Sequence, residues 1–307
     1  MNPKVSIIIP CWNAEMYISD AIESSLGQSY ENIEIIVVND GSTDKSRDVI
    51  GMFGDKIRII DVENGGANRA RNIGFKKSSG QYIKFLDADD FLEEDCIEKQ
   101  VSYLGNIHSK EIVYGGLKEI HENGNISILK YPIVAYERVN LIDLVRKGIL
   151  ISLPLYPRRA LLNLGGFDER LKSRQEWNLN IRIFLDGYSF VRQDIHCFYQ
   201  RHHASPFRIT NRAPKPWVEF SNLTSAIEPL RNISDPNVRS VLALKIWSVG
   251  RWYILKNPAW AKRFFCLSKE FSSNGYEKIP LGRYGKNLQR FGPYVAEIIE
   301  RISSRIN

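Results

Sequence analysis

The chain is predicted to be an α/β protein whose first part forms a doubly wound, mostly parallel sheet. Three observations predict it. Val5-Ser6-Ile7-Ile8-Ile9 and Ile33-Glu34-Ile35-Ile36-Val37-Val38 are β-branched runs of the kind buried within parallel sheets. Between them lies a stretch of helical period, and strand, helix and strand with short connections describe a right-handed parallel unit. The third observation is Gln81-Tyr82-Ile83-Lys84-Phe85-Leu86, an apolar run that drives into Asp87, Asp89 and Asp90 and then turns apolar again. Clustered acids at a strand end are costly unless they reach water, a cation or hydrogen-bond donors.

Taken in order, Pro10 is expected to end the first strand, because proline cannot continue a central ladder. Asn13 is expected to cap a helix carrying Ile18, Ile22 and Leu26 at helical spacing, closed by Gly27. The second strand runs into Asn39-Asp40-Gly41-Ser42-Thr43-Asp44, a turn that also suits a helix cap. A third strand is expected at Ile57 to Ile60, and Asn64-Gly65-Gly66 turns into a helix through Arg69, Arg71 and Phe75. Beyond about residue 95 the pattern changes. Ile112 to Leu117 and Ile126 to Leu129 flank Asn123-Gly124, a hairpin signal. Val139 to Lys147 reads as a helix, Leu164 to Glu169 as a tight turn, Trp177, Ile181 and Leu185 as a helix, and Ser189 to Arg192 as a strand. From Pro216 the chain reads as mainly helical, with the boundary at Pro214-Lys215-Pro216.

At 307 residues, 43% hydrophobic and 25% charged, the composition is that of a globular protein able to bury a core without disulfides. Its four cysteines show no Cys-x-x-Cys spacing, which argues against zinc fingers and for a reducing compartment. No signal peptide and no apolar run approaching roughly 20 residues is present. A cytoplasmic protein is expected, with peripheral contact at the inner membrane face. The net charge of +7 favours anionic partners without choosing among them.

Asp40, at a strand end, has two readings: contact with a nucleoside, or a helix cap shared with Asp44. Gly-x-Gly-x-x-Gly and Gly-Lys-Ser/Thr are both missing, so neither a dinucleotide cofactor nor a P-loop is supported. Arg69 and Arg71 sit two apart on a helix, so only one is expected to reach the sheet edge. Asp87 and Asp89, two apart in extended chain, point the same way and suit a hard cation, although such pairs also fill turns.

Val5 to Asn13, Val37 to Asp44, Asn68-Arg69-Ala70-Arg71-Asn72 and Phe85 to Asp90 together resemble family 2 glycosyltransferases, and the resemblance covers about Val5 to Ser205. It implies the GT-A fold, with residues 1–213 as the glycosyltransferase domain: a nucleotide-sugar-binding half (1–95) and a mixed acceptor half (96–213). Residues 214–307 form a helical extension outside the resemblance. Carried over by position, Pro10 and Asn13 line the nucleoside pocket and Asp40 binds the base, usually uracil. Arg71 lies near the base or phosphates, and Asp87 near the ribose. Asp89 holds Mg²⁺ or Mn²⁺ against the diphosphate. Gly165-Gly166-Phe167-Asp168-Glu169 and Gln175-Glu176-Trp177 resemble the family's Gly-Gly-Phe-Asp-Glu and Glu-Asp-Trp patterns. The catalytic-base position, an aspartate in the family, holds Glu176 here. Tyr199 to Ser205 resembles a loop that folds over the donor, in which His203 completes the metal shell and Arg201 meets phosphate.

The resemblance implies an inverting, metal-dependent transferase moving sugar from a nucleoside-diphosphate sugar, UDP first, to a hydroxyl of a glycan or lipid-linked acceptor, as in cell-surface polysaccharide assembly. Two alternatives remain: a nucleotidyltransferase on a similar sheet, and a non-catalytic binder of sugar nucleotide or glycan. Arg251 to Lys256 and Trp260 to Phe265 interleave cations with aromatics, which suits either an anionic membrane surface or helices that bury rings while lysines snorkel. No nucleic-acid module is recognisable, so nucleic acid is not expected as a partner.

Overall fold

The computed structural model describes residues 2–104, 110–121, 125–128, 137–203 and 214–272. They fall into two compact units, residues 1–140 with 148–212, and residues 141–147 with 213–307.

The first unit is built on two sheets. Strands β1 (Val5–Cys11), β2 (Ile33–Asp40), β3 (Arg58–Val62) and β4 (Tyr82–Phe85) are parallel, and β9 (Tyr156–Pro157) adds an antiparallel edge in the order β3-β2-β1-β4-β9. Every residue of β1 is buried, as its apolar run requires of a central strand. Helices α1 (Ile18–Leu26), α2 (Ser46–Gly51) and α3 (Ala67–Lys77) fill the crossovers. Helix α3 approaches so closely that a Cβ at Gly74 would fall 2.5 Å from Ile8 Cγ2. Ala70 and Ile73 of α3 cover Ile36 and Val38 of β2, together with Ile60 and Val62 of β3.

Pro10 does not end β1. It lies inside the strand in register with Val38. The Ile8 carbonyl accepts from Leu86 N at 3.0 Å, so Ile8 faces β4, and Pro10, two residues on, faces the same side. Pairing with β4 stops at Ile8, so the proline breaks no ladder bond.

The second sheet has the order β5-β10-β6-β7, from β5 (Phe91–Leu92), β6 (Glu111–Ile120), β7 (Ile126–Ile128) and β10 (Ser189–Arg201), with β8 (Glu137–Arg138) also on β10. It is mixed: β10 runs parallel to β6 and antiparallel to β5 and β8. Strands β6 and β7 pair antiparallel as the hairpin signal implies; Asn123-Gly124 and Leu129 lie outside the described residues. The strand expected at Ser189 to Arg192 continues to Arg201, so Tyr199, Gln200 and Arg201 belong to β10 rather than to a loop. Partners on both sides extend it, because β6 and β5 satisfy its backbone where local sequence signals polar loop. Helices α4 (Cys96–Tyr103), α6 (Arg158–Leu164) and α7 (Gln175–Leu185) complete this unit.

The second unit holds α5 (Leu141–Lys147), α8 (Pro216–Ala226), α9 (Pro236–Tyr253) and α10 (Pro258–Phe271). Among the described residues, no helix is long and apolar enough to cross a membrane. All four cysteines are free thiols, and only Cys266 is exposed.

Candidate active site

The loops that follow β1, β2, β3 and β4 gather at the carboxyl edge of the first sheet, where open α/β folds bind ligands. Asn13 does not cap α1, whose first turn lies five residues on. It adopts a left-handed backbone, φ 49°, and joins two loops instead. Its Oδ1 accepts from Thr43 N at 2.8 Å, its Nδ2 donates to Thr43 Oγ1 at 3.2 Å, and its own N–H donates to Ser42 Oγ at 3.1 Å. Asparagine tolerates this conformation better than most residues, which suits a bridging position.

Asp40, the last residue of β2, is buried and does not cap a helix. Its two carboxylate oxygens accept from Gly65 N and Gly66 N, each at 2.8 Å, and so shape the turn that opens α3. Ahead of α2, Asp44 Oδ1 accepts at 2.9 Å from the N–H of Ser46, the first residue of that helix. Of the two arginines on α3, Arg69 turns away to donate to Glu63 O at 2.7 Å. Arg71 is buried, donates to Asp87 Oδ1 at 2.6 Å and lies 5.4 Å from the centre of the Phe167 ring. Its Nε, also buried, has no hydrogen-bond partner among the described residues.

After β4 the chain turns, with Asp90 N donating to Asp87 O at 3.1 Å. One carboxylate oxygen from each of Asp87, Asp89 and Asp90 falls within 4.8 Å of the others. The turn thus gathers three acids where extended chain would align two. Strand β5 carries this turn to the end of β10 through the pairs Phe198–Leu92 and Tyr199–Phe91. Three contacts follow. His203 Nε2 meets Asp89 Oδ2 at 3.0 Å, Arg201 N donates to Asp90 Oδ1 at 3.0 Å, and Arg201 Nε donates to Asp89 O at 3.3 Å. Asp90 therefore ties the turn to β10. The Arg201 guanidinium also pairs with Asp20 and lies over the rings of Tyr17 and Phe91. The Tyr17 ring lies against His203 at a tilt of 32°, with ring centres 4.5 Å apart. Nothing in the sequence pattern singles out Tyr17, since an aromatic before a helix is commonplace. Ala204 and Ser205, in the stretch read as a donor-covering loop, lie outside the described residues.

On the other side of Arg71 lies the 165–169 turn, with Gly165 and Gly166 at φ 71° and 78°. Asn72 holds Phe167 by both backbone groups, and Asn68 Nδ2 donates to Asp168 O at 2.9 Å and Leu171 O at 3.0 Å. These asparagines are the anchors of the turn, although from the sequence they read only as parts of the Asn68 to Asn72 motif. Glu176 follows in the first turn of α7. Burial pushes its carboxyl above the ordinary glutamate range; the positive charges of Arg71 and Arg174 pull it back, and Asp87 adds to the rise. Tyr156 lies within reach of the same field. Its buried hydroxyl donates to Asn180 Oδ1 at 2.7 Å, and its pKa is raised first by burial and then by the charge of Glu176.

Asp87, Asp89, Arg71, His203 and Arg201 thus form one connected cluster, and the charges of Arg71 and Asp87 act on Glu176. Pro10, Asn13 and Asp40 lie on the neighbouring β1 and β2 ends without a hydrogen bond to that cluster.

The model of the family described as Glycosyl transferase family 2 matches residues 6–196. An uncharacterised glycosyltransferase of Rickettsia prowazekii (strain Madrid E), RP339, is 34% identical over 229 residues, covering 73% of this chain and 71% of that protein. Another from Rickettsia felis is 40% identical over 190 residues, covering 59% of this chain; the match spans only 31% of that longer protein. Among solved structures, S. aureus TarS 1-349 in complex with UDP-GlcNAc superposes with a TM-score of 0.78 at 17% identity, covering 98% of this chain and 92% of that one. At that identity the likeness establishes the architecture, a GT-A fold followed by helices.

Proposed function

Because the chain belongs to glycosyl transferase family 2, we propose that it moves a sugar from a nucleoside-diphosphate sugar, UDP-sugar first, to a hydroxyl of a glycan or lipid-linked acceptor with inversion at the anomeric carbon. The observation that carries this reading is the junction at Asp87: one side pairs with Arg71, the other leads through Asp89 to His203, and its charge acts on Glu176. On this reading the Arg71 side is the nucleotide end, the Asp89–His203 side the cation end and Glu176 the base. The S. aureus protein binds UDP and UDP-GlcNAc in its crystal structures, which supports a uridine donor.

Asp40 and Asn13 shape the nucleoside edge beside Pro10, by holding the 64–66 turn and the 42–43 loop. Arg71 Nε, buried and unpartnered among the described residues, supplies a donor for a ribose or phosphate oxygen. Arg71 holds the Asp87 carboxylate, which this reading assigns to the ribose. The donor set of the acid turn is carboxylate oxygen with one imidazole, which fits Mg²⁺ or Mn²⁺ better than a soft metal. Asp89 and His203 would hold that ion, and Arg201 fixes Asp89 from behind through its carbonyl. When bound, the ion neutralises charge developing on the departing diphosphate.

Glu176 takes the proton of the acceptor hydroxyl. The acceptor oxygen forms its bond to the anomeric carbon as the bond to the diphosphate oxygen breaks, and the diphosphate leaves with that electron pair. A raised pKa makes Glu176 a stronger base than an ordinary glutamate. The deciding experiment is UDP release from a panel of UDP-sugars, with and without acceptor, in the wild type and Glu176→Gln. Acceptor-dependent release that collapses in the variant is expected. Donor binding without turnover, identical in both proteins, sinks the reading.

A further inference from the structure

The helical unit is polarised in a way that transfer chemistry does not use. Helices α9 and α10 form an antiparallel pair, since Arg239 near the start of α9 donates to Phe271 O at 3.0 Å and Glu270 O at 2.6 Å at the end of α10. The other end of the pair meets the start of α8, where Tyr253 Oη donates to Pro214 O at 2.9 Å. Inside that end, Phe220, Tyr253 and Phe264 pack ring on ring. Outside it, Trp217, Trp252 and Leu255 remain 49%, 44% and 47% exposed.

Each tryptophan at this end carries a cation. Lys215 Nζ lies 5.2 Å from the Trp217 ring centre, Lys256 Nζ 3.5 Å from Trp252, and Arg263 Cζ 4.3 Å from Trp260. Exposed Lys262 adds a further charge. Acids are segregated from it. Between residues 214 and 272 the sequence has only Glu219, Glu228, Asp235 and Glu270. Glu219 is buried, and the other three sit at the opposite end, where Arg231 pairs with Glu228 and Glu270, and Asp235 caps α9.

We propose that this end of the helical unit docks on an anionic phospholipid bilayer. Half-exposed indoles with an apolar leucine match the headgroup boundary, where amphipathic rings settle. The surrounding cations, with no exposed acid beside them between residues 214 and 272, complement a negative surface. Burial of the aromatics with snorkelling lysines accounts for Phe220, Tyr253 and Phe264, but not for tryptophans left half in water. A protein partner would need the apolar face but not the segregation of charge.

Flotation of the full chain with vesicles tests this. Binding to equimolar phosphatidylcholine–phosphatidylglycerol vesicles is expected, with far weaker binding to phosphatidylcholine alone and release by high salt. Lys256→Gln with Arg263→Gln should weaken binding about 25-fold, at about fivefold per cation. Trp217→Ala with Trp252→Ala should weaken it at every salt concentration. Lys269→Gln, an exposed cation at the opposite end, should have no comparable effect. Circular dichroism of each variant separates lost docking from lost folding, and should a variant misfold, the lipid and salt comparison on the wild type still decides. Equal binding to neutral vesicles, no vesicle binding, or equal sensitivity to Lys269→Gln overturns the proposal. So does a salt-sensitive complex with a single-stranded oligonucleotide, or a dimer, formed through these residues while vesicles stay unbound.

Discussion

Asn72 grips Phe167 as one strand grips another: its Oδ1 accepts from Phe167 N at 2.8 Å and its Nδ2 donates to Phe167 O at 3.0 Å. The pairing crosses from α3, which carries Arg71, to the turn that precedes Glu176. It couples the helix that carries Arg71 to the turn that leads into Glu176, the two ends of the proposed site. Asn72→Ala would leave both buried backbone groups unpaired and is expected to cost about 2–4 kcal/mol. Chemical denaturation measures the loss, and the acceptor KM is expected to rise with it. Gly166→Ala should act similarly, because φ is 78° and the added Cβ would fall 2.4 Å from Asn72 Oδ1.

Glu176→Gln is expected to lower kcat by about 10²–10⁴-fold, the usual worth of a positioned base. It should also stabilise the fold at neutral pH. A carboxyl with a raised folded pKa binds more protons folded than unfolded, so its stability is intact below the unfolded pKa and is lost as pH rises through the folded one. The thermal midpoint of the variant should therefore exceed that of the wild type at pH 7, with the gap closing in acid. A variant less stable at pH 7 than the wild type would contradict the desolvated carboxylate.

The acid limb of the kcat/KM profile should lie above the ordinary glutamate range, since burial raises Glu176. Arg71 lowers that pKa and Asp87 raises it. Arg71→Met should accordingly shift the limb to higher pH, and Asp87→Asn to lower pH. Shifts of the same sign would mean that the two residues act only through donor binding.

Asp89→Ala should reduce Mn²⁺-supported kcat/KM by more than about 100-fold, and His203→Ala by about 10–100-fold. Mn²⁺ binding followed by electron paramagnetic resonance, in the presence of UDP, gives a readout independent of turnover. Full metal-dependent activity in Asp89→Ala would reassign the site.

Much of the scaffold is legible without coordinates. The β-branched runs of β1 and β2 declare buried parallel strands, and the charge spacing on α3 leaves only one arginine for the sheet edge, which proves to be Arg71. These are local signals: periodicity and strand termini report which side of an element meets the core. Asn13, Pro10 and Asp90 are different. Tertiary partners decide each: Asn13 bonds Thr43 instead of capping α1, Asp90 adds a bond from Arg201 N to its place in the 87–90 turn, and Pro10 stays inside β1 because the β4 ladder has already ended.

Apolar pattern, strand ends and the order of the motifs therefore sufficed for the α/β class and for the acids and arginine at its edge. The tertiary structure decided which of them meet. A two-residue strand, Phe91–Leu92, pairs with the end of β10 and brings His203 and Arg201 to the Asp87–Asp90 turn across more than a hundred residues of chain. Pairing of that kind depends on register between segments distant in sequence, and no local period encodes it.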